Sequence, residues 1–324
     1  MPTNTPSPDS NAECWVLHDG AAGNRRQAVA LAQALHRPFR EIVLAPRWPA
    51  RWLAPRRLGA AAMAFGAQFA HDLSRSPPAL AIGCGRIAAL ATRLAREHGA
   101  RAVQILDPRV SPRYWDALVV PQHDGLRGPS VLSLLGSLHP VDDDWLEQAR
   151  REHPSMAALA TPLTAVLVGG PTASVPFDLD ALERMLAKLE AARARDGGSL
   201  VICASRRTPP AWSARLRERC ADSAQLWLGA QDGDNPYAGA LAWATRLVVT
   251  PDSVNMLSEA CATRAPVYVA EPELARGRLR RFLDSLAARG RIHPQDTTLA
   301  QLAAEPLRET PRVAAELRSL LDLD

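Results

Sequence analysis

The sequence predicts an α/β protein made of two doubly wound domains, each a parallel sheet covered by helices, facing one another across a cleft. Three observations carry this expectation. Short aliphatic runs alternate with longer helical patterns along almost the whole chain, as in parallel sheets with helices on both faces. The runs number near ten, too many for one small sheet. The alternation also starts again at "TAVLVGGP", after a helix and linker over 142–161, in a chain of 324 residues that suffices for two domains of ordinary size.

Each element has its own warrant. "CWVLHDG" is a strand running into glycine, followed by a helix over about 24–35. "REIVLAP", "ALAIGCG", "RAVQILD", "DALVVPQ" and "SVLSLLG" continue the strands of a first domain spanning 13–150. In the second domain, 151–295, the long helical pattern "DLDALERMLAKLEAARARD" follows the first strand. "SLVICASRRTPP", "AQLWLG", "RLVVTPDS" and "APVYVAE" supply the remaining strands. The last segment, 296–324, contains "LAQLAAEPLRETPRVAAELRSLL" and reads as amphipathic helices that pack back across the first domain. Residues 1–12 are polar and proline-rich, without the apolar stretch of a signal peptide, and read as a disordered tail.

Composition narrows the function. A chain 47% hydrophobic and 22% charged is a folded soluble protein. The net charge of +4 comes almost wholly from arginine, since Lys188 is the sole lysine, and no arginine block resembles a nucleic-acid arm. Cys14, Cys84, Cys203, Cys220 and Cys261 are scattered, without a C-x-x-C pair, and read as reduced thiols of a cytoplasmic protein. No histidine spacing suits a zinc site, and no metal is expected. The stretch "LGAAAMAFGAQFA" is too short to span a bilayer. In "APRWPARWLAPRRLG", Trp48 and Trp52 lie among Arg47, Arg51, Arg56 and Arg57. Such a patch suits reversible binding to an anionic inner-membrane surface. The other reading has the two tryptophans stapling one helix to the core.

Ligands of open parallel sheets bind beyond the carboxyl ends of the strands. In the second half those ends are chemically unusual. Gly169 and Gly170 lack side chains that would keep a ligand from the backbone. Ser205, Arg206, Arg207 and Thr208 are donors suited to phosphate. In "TPDSVNMLSEACATRAPVYV", Asp252 or Ser253 caps a helix whose first turn, with Asn255 and Met256, offers free N–H groups and a positive dipole end. Glu259, about two turns along, is placed to accept hydrogen bonds from ribose hydroxyls. Together these residues form a cradle for a nucleoside diphosphate. Taken singly, Asp-Ser is a common helix cap and Gly-Gly a common turn.

The same segment resembles the donor site of GT-B glycosyltransferases, in which a helix bearing Ser-x-x-Glu grips a nucleotide sugar. "DGAAGNRRQAVALAQAL", "QILDPRVSPRYWDALVVPQHDG", "SRRTPP" and "NPYAGALAWATRLVVTPDSVNMLSEA" resemble a bacterial family similar to the plant mitochondrial-fission, "elongated mitochondria" protein. The resemblance spans roughly residues 14–272. It implies a GT-B-like fold of two Rossmann-like domains, with no cofactor beyond a nucleoside-diphosphate sugar as donor and an envelope glycan or lipid-linked molecule as acceptor. Plant relatives recruit a dynamin-like protein, which keeps a non-catalytic scaffold among the readings. Some bacterial members are described as nucleoside-diphosphate-sugar epimerases.

A transferase needs a base on the acceptor side. The loop after the first strand, with Gly20, Gly23 and Asn24, resembles the glycine-rich loop of the lipid II-forming glycosyltransferase, but has Asn24 where a histidine would take a proton. Asp19 is therefore the expected base, with His123 and Asp124 of "PQHDG" in reserve; Asp19 reads equally as a turn residue bonding its own backbone. Asp107 and Arg109 close another strand, either to meet an anionic ligand or to pair with each other. A rival reading takes Gly83-x-Gly85-x-x-Ala88, with Asp107 about twenty residues on, as a dinucleotide fingerprint of an NAD-dependent epimerase. Its position third in strand order and the absence of a Tyr-x-x-x-Lys pair argue against it.

Overall fold

The structure is a computed structural model that describes residues 13–46, 50–56 and 61–323, with the backbone alone at 50, 51 and 61. The chain divides into two compact units. The first runs to Pro140 and is completed by the segment from Glu309; the second is Val141–Arg308.

In the first unit, β1 (Cys14–His18) leads into α1 (Ala22–Ala34), then β2 (Phe39–Val43), α2 (Ala50–Leu53) and α3 (Ala67–Arg75). β3 (Leu80–Cys84), α4 (Gly85–Glu97), β4 (Arg101–Ile105), β5 (Ala117–Pro121) and β6 (Val131–Leu134) follow. The six strands are parallel, in the order β2-β1-β3-β4-β5-β6. Alternation along β1 divides the core between the two sheet faces. Cys14 and Val16 join Leu31, Ile82 and Val103 on one face, while Trp15 and Leu17 join Leu73, Leu90 and Leu94 on the other. The strands read as continuous apolar runs because both faces are covered.

The second unit opens with α5 (Asp143–Glu152), whose cap Asp142 accepts from the Trp145 amide. The sequence placed the division near residue 150; this helix begins the second unit instead. β7 (Leu163–Val168), α6 (Leu179–Asp196), β8 (Ser199–Ala204), α7 (Pro210–Cys220), β9 (Gln225–Trp227) and α8 (Tyr237–Trp243) come next. They are followed by β10 (Arg246–Val249), α9 (Val254–Cys261), β11 (Val267–Val269), α10 (Gly277–Ala287) and β12 (Ile292–Pro294). This sheet is also parallel, in the order β12-β11-β10-β7-β8-β9. From β7 the chain winds outward through β8 and β9, then returns to place β10 on the other side of β7. The topological switch point, where ligand crevices form, therefore lies between β7 and β10.

The tail departs from the expected run of helices. Residues 301–309 form no regular secondary structure, and only α11 (Thr310–Leu321) is helical, its Val313, Ala314 and Leu317 buried in the first unit's core. Pro306 breaks the helical pattern, and the backbone has other partners: the Leu307 amide donates to Cys261 O at 2.8 Å and Arg308 Nε to Ala262 O at 3.1 Å, at the end of α9. Residues 1–12 lie outside the described part, as do Arg47, Trp48 and Arg57 of the arginine–tryptophan patch.

Candidate functional site

The carboxyl ends of β7, β8 and β10 meet around Asp252 in the second unit. The Asp252 side chain is 1% exposed. Its Oδ1 accepts from the Thr250 hydroxyl at 2.6 Å, and its Oδ2 from the Gly170 amide at 3.1 Å and Arg207 Nη2 at 2.6 Å. Thr250 Oγ1 in turn accepts from the Gly169 amide at 2.8 Å. A buried charge needs a partner and hydrogen bonds, and Asp252 has both. The helix cap is Ser253, whose hydroxyl accepts from the Met256 amide at 3.3 Å. Of the two cap candidates, Asp252 is instead the polar hub of the switch point.

The glycines now have an internal reason. A Cβ on Gly169 would come 2.1 Å from Asp252 Oδ2, and one on Gly170 would come 2.2 Å from the Arg207 carbonyl oxygen. The room that the sequence assigned to a ligand is taken by the chain itself. The 205–208 loop is likewise partly committed. Thr208 Oγ1 donates to Gly169 O and Val168 O, and Ser205 Oγ accepts from the Arg207 amide at 3.1 Å. Arg206 is exposed and makes no ion pair with any described residue.

At the start of α9, half-buried Asn255 and Met256 occupy the first turn. The cap takes up the Met256 amide, and the amides of Val254 and Asn255 have no acceptor among the described residues. These two N–H groups and the dipole end of α9 favour an anion at the switch point, and exposed Arg206 lies in the loop after the neighbouring strand β8. Glu259 is 2% exposed, and its Oε2 accepts from the Tyr237 hydroxyl at the start of α8. Tyr237 and Thr250 went unrecognised as site residues. Both lie inside the stretches that carried the resemblance, but only the fold brings a tyrosine to a glutamate 22 positions away.

The first unit has its own cluster at strand ends. Asp19 is half-buried after β1; its Oδ1 accepts from the Ala21 amide at 3.1 Å and Asn24 Nδ2 at 3.0 Å. That is the turn reading of Asp19, and it leaves Oδ2 without a hydrogen-bond partner among the described residues. Gly20 adopts φ +80, and its amide donates to His18 Nδ1 at 3.0 Å. A backbone amide can only donate, so the proton of neutral His18 is on Nε2, which donates to Glu41 at 3.0 Å. Arg25 grips Glu41 through Nε and Nη2 and, with His18, holds the Glu41 carboxyl below the usual carboxylate range. Gly23 lies in the first turn of α1.

Asn24 reaches the next strand end, where a Cβ on Gly85 would come 2.5 Å from Asn24 Nδ2. A Cβ on Gly83 would meet Thr92 at 2.5 Å. The glycines of the dinucleotide-like pattern thus make room for protein side chains. Asp107 accepts from the Arg109 amide at 2.8 Å and lies 3.2 Å from Arg109 Nε, the pair that the sequence left as one option. Leu106 and Arg109 flank it at φ 71 and 60, conformations that non-glycine residues adopt at a cost. His123 and Asp124 are half-buried in the turn after β5, on the same carboxyl edge of the sheet.

Cysteine chemistry is disfavoured throughout, because burial pushes the Cys14, Cys203 and Cys261 thiols up to about 12. Among the described residues no group of three His, Cys, Asp or Glu is placed to hold a metal ion, and no helix is long and apolar enough to cross a membrane.

Known proteins place this architecture. A UDP-GlcNAc 2-epimerase from Methanocaldococcus jannaschii superposes with a TM-score of 0.62 at 10% identity, covering 96% of this chain and 99% of that one. The UDP co-structure of S. aureus MnaA gives 0.50 at 12% identity, covering 96% and 97%. Os79 from O. sativa, solved with a trichothecene, gives 0.54 at 13% identity, covering 96% and 91%. At such identities the likeness establishes the fold, which is GT-B-like. In sequence, the mitochondrial fission protein ELM1 of Arabidopsis thaliana is 30% identical over 273 residues, 74% of this chain and 63% of the plant protein's length. The uncharacterized protein RP120 of Rickettsia prowazekii (strain Madrid E) is 24% identical over 354 positions, covering 96% of this chain and 99% of its own. The model of the mitochondrial fission ELM1 family matches residues 22–321, and the chain belongs to that family.

Proposed function

We propose that the second unit binds a nucleoside-diphosphate sugar and that the protein is a GT-B-like glycosyltransferase acting on an envelope glycan or lipid-linked acceptor. The observation that carries this reading is the start of α9 at the switch point between β7 and β10, where the Val254 and Asn255 amides have no acceptor among the described residues, with exposed Arg206 in the loop after the adjacent β8. A diphosphate there would be neutralised without a metal. Glu259 would accept from the ribose in exchange for, or together with, the Tyr237 hydroxyl. On the acceptor side Asp19 is the proposed base, its carboxylate oriented through one oxygen by Ala21 and Asn24 with the other left to take a proton.

Association with an anionic membrane surface belongs to the same proposal. Trp52 is 77% exposed, Met63 53% and Val43 62%, so Trp52 is not a staple to the core. Arg86 donates to the Trp52 and Ala54 carbonyls and holds α2 in place.

Calorimetric titration with UDP, UDP-N-acetylglucosamine and uridine tests the nucleotide site. Arg206→Ala is expected to weaken both diphosphates about tenfold while sparing uridine, as for loss of one charge-assisted contact. Glu259→Gln is expected to weaken all three through the ribose. If neither change alters any titration, the cradle is wrongly placed. A second reading, a nucleotide-sugar epimerase like the M. jannaschii neighbour, has the same donor site. Product analysis separates the two, since an epimerase changes the sugar without an acceptor. A non-catalytic scaffold gives no product in either assay.

A further inference from the structure

The first unit contains a pocket at the amino ends of its strands, the end of the sheet opposite to Asp19. Arg101 opens β4 and Asp116 precedes β5, while Arg93, Arg96 and Glu97 come from the last turns of α4, and together with Tyr114 they line a cavity of ≈ 390 Å³. This volume is in the range of small-ligand pockets. The strands are parallel, so the amino end of β4 lies about 13 Å of strand from its carboxyl end.

The charges around this cavity do not cancel. Asp116 is already claimed, by Arg96 Nε at 3.0 Å and the Ala102 amide at 2.8 Å. Arg96 Nη1 also donates to Arg113 O. Glu97 forms an i,i+4 ion pair with Arg93, 3.8 Å from its Nε, and offsets one of the three lining arginines. Arg101 is exposed and makes no ion pair with a described residue. The Arg93 guanidinium lies 3.8 Å from the Tyr114 ring centre, with Arg113 at 5.2 Å from that ring. Stacking of this kind fixes the guanidinium plane, and the buried Arg93 Nε has no hydrogen-bond partner among the described residues. The phenol of Tyr114 is held below its ordinary range by its hydrogen bond from Arg113.

We infer that this pocket binds a small phosphomonoester through Arg93, Arg101 and the outer edge of Arg96. A dianionic phosphate offers three acceptor oxygens to these planar forks. A nucleotide fits less well, because Arg93 already covers the Tyr114 ring and no second aromatic lines the pocket for a base. The phosphate belongs either to a soluble metabolite or to a lipid headgroup, and this inference is independent of the nucleotide reading of the second unit.

The test uses the full chain and two probes: glycerol 3-phosphate in calorimetry, and phosphatidylcholine vesicles with or without phosphatidic acid in co-sedimentation. Arg101→Glu is the main variant, since an exposed arginine leaves the core intact, with Arg101→Gln and thermal midpoints as checks on folding. Arg206→Ala controls for phosphate captured by the second unit. We expect binding in one arm, weakened at least about tenfold by Arg101→Glu and unchanged by Arg206→Ala. The responding arm names the source of the phosphate. Wild-type protein that binds neither probe, an Arg101→Glu variant that binds like wild type, or binding lost only in Arg206→Ala overturns the inference.

Discussion

Asp252 sits in a space almost closed to solvent, and three donors answer its carboxyl group: the Thr250 hydroxyl, the Gly170 amide and Arg207. The two glycines after β7 exist in relation to this hub, but for different reasons. Gly169 faces the Asp252 carboxylate, whereas Gly170 faces the backbone of the 205–208 loop. That difference makes a prediction. Gly169→Ala is expected to lower the unfolding free energy by about 1–3 kcal/mol through overpacking, and Asp252→Ala in the same chain should relieve part of that loss. Gly170→Ala should be about as damaging, with no relief from Asp252→Ala, because its obstacle is a carbonyl. Urea unfolding of the two double-mutant cycles measures this, and equal coupling in both would contradict it. At this scale the sequence announces a polar residue type at a strand end but not its partners. Asp252 stood beside Ser253 as a cap candidate because its bonds to Gly170 and Arg207 span 82 and 45 positions.

Elements are joined by a few polar contacts whose strength depends on pH. α6 presents Arg184 and Lys188 one turn apart, and both reach Glu271 just beyond β11, at 2.7 Å each. Glu271 is buried and sits at φ 45, so the helix and the strand end hold it in a conformation it would not choose alone. Burial pushes its carboxyl upward, but the hydrogen bonds from Lys188 and Arg184 outweigh burial and leave it below its ordinary 4.5. A carboxyl depressed in the folded state stabilises above its unfolded value, and that contribution disappears as pH falls through the folded value. Glu271→Gln should therefore be less stable than wild type at pH 7 by about 1–2 kcal/mol, allowing for the partly exposed arginine and lysine. The gap should narrow in urea unfolding at pH 3; a gap that stays constant would remove the ionic explanation. Much at this scale was legible, because a short continuous apolar run ending in glycines marks the strand in "TAVLVGGP" and a long 3.6-residue pattern marks the helix in "DLDALERMLAKLEAARARD". The failures share a cause. β12 has only three residues, too few for a period, and the helix-like spacing of 301–309 yields to long-range bonds from Leu307 and Arg308 to the end of α9.

Across the whole molecule, the chain leaves its first unit at Pro140, builds the second, and comes back at Glu309 to finish the first. The return was foreseeable from the amphipathic pattern of the last residues, although its start was not. α11 places Val313, Ala314, Leu317 and Leu321 against the core that contains Val16, Leu31 and Ile82. Without it, that face of the first sheet would lack part of its apolar cover. The proposed nucleotide residues belong wholly to the second unit. Stability of the first unit and nucleotide binding should therefore respond to different substitutions. Leu317 is fully buried, and Leu317→Ala is expected to cost about 2–5 kcal/mol as a core truncation. At a temperature where circular dichroism reports the variant folded, its UDP titration should match wild type. Arg206→Ala should show the reverse pattern, with an unchanged unfolding midpoint and a weakened titration. A Leu317→Ala protein that is folded yet has lost UDP binding would mean that the nucleotide site depends on the first unit's core, and the assignment of that site to the second unit alone would fall.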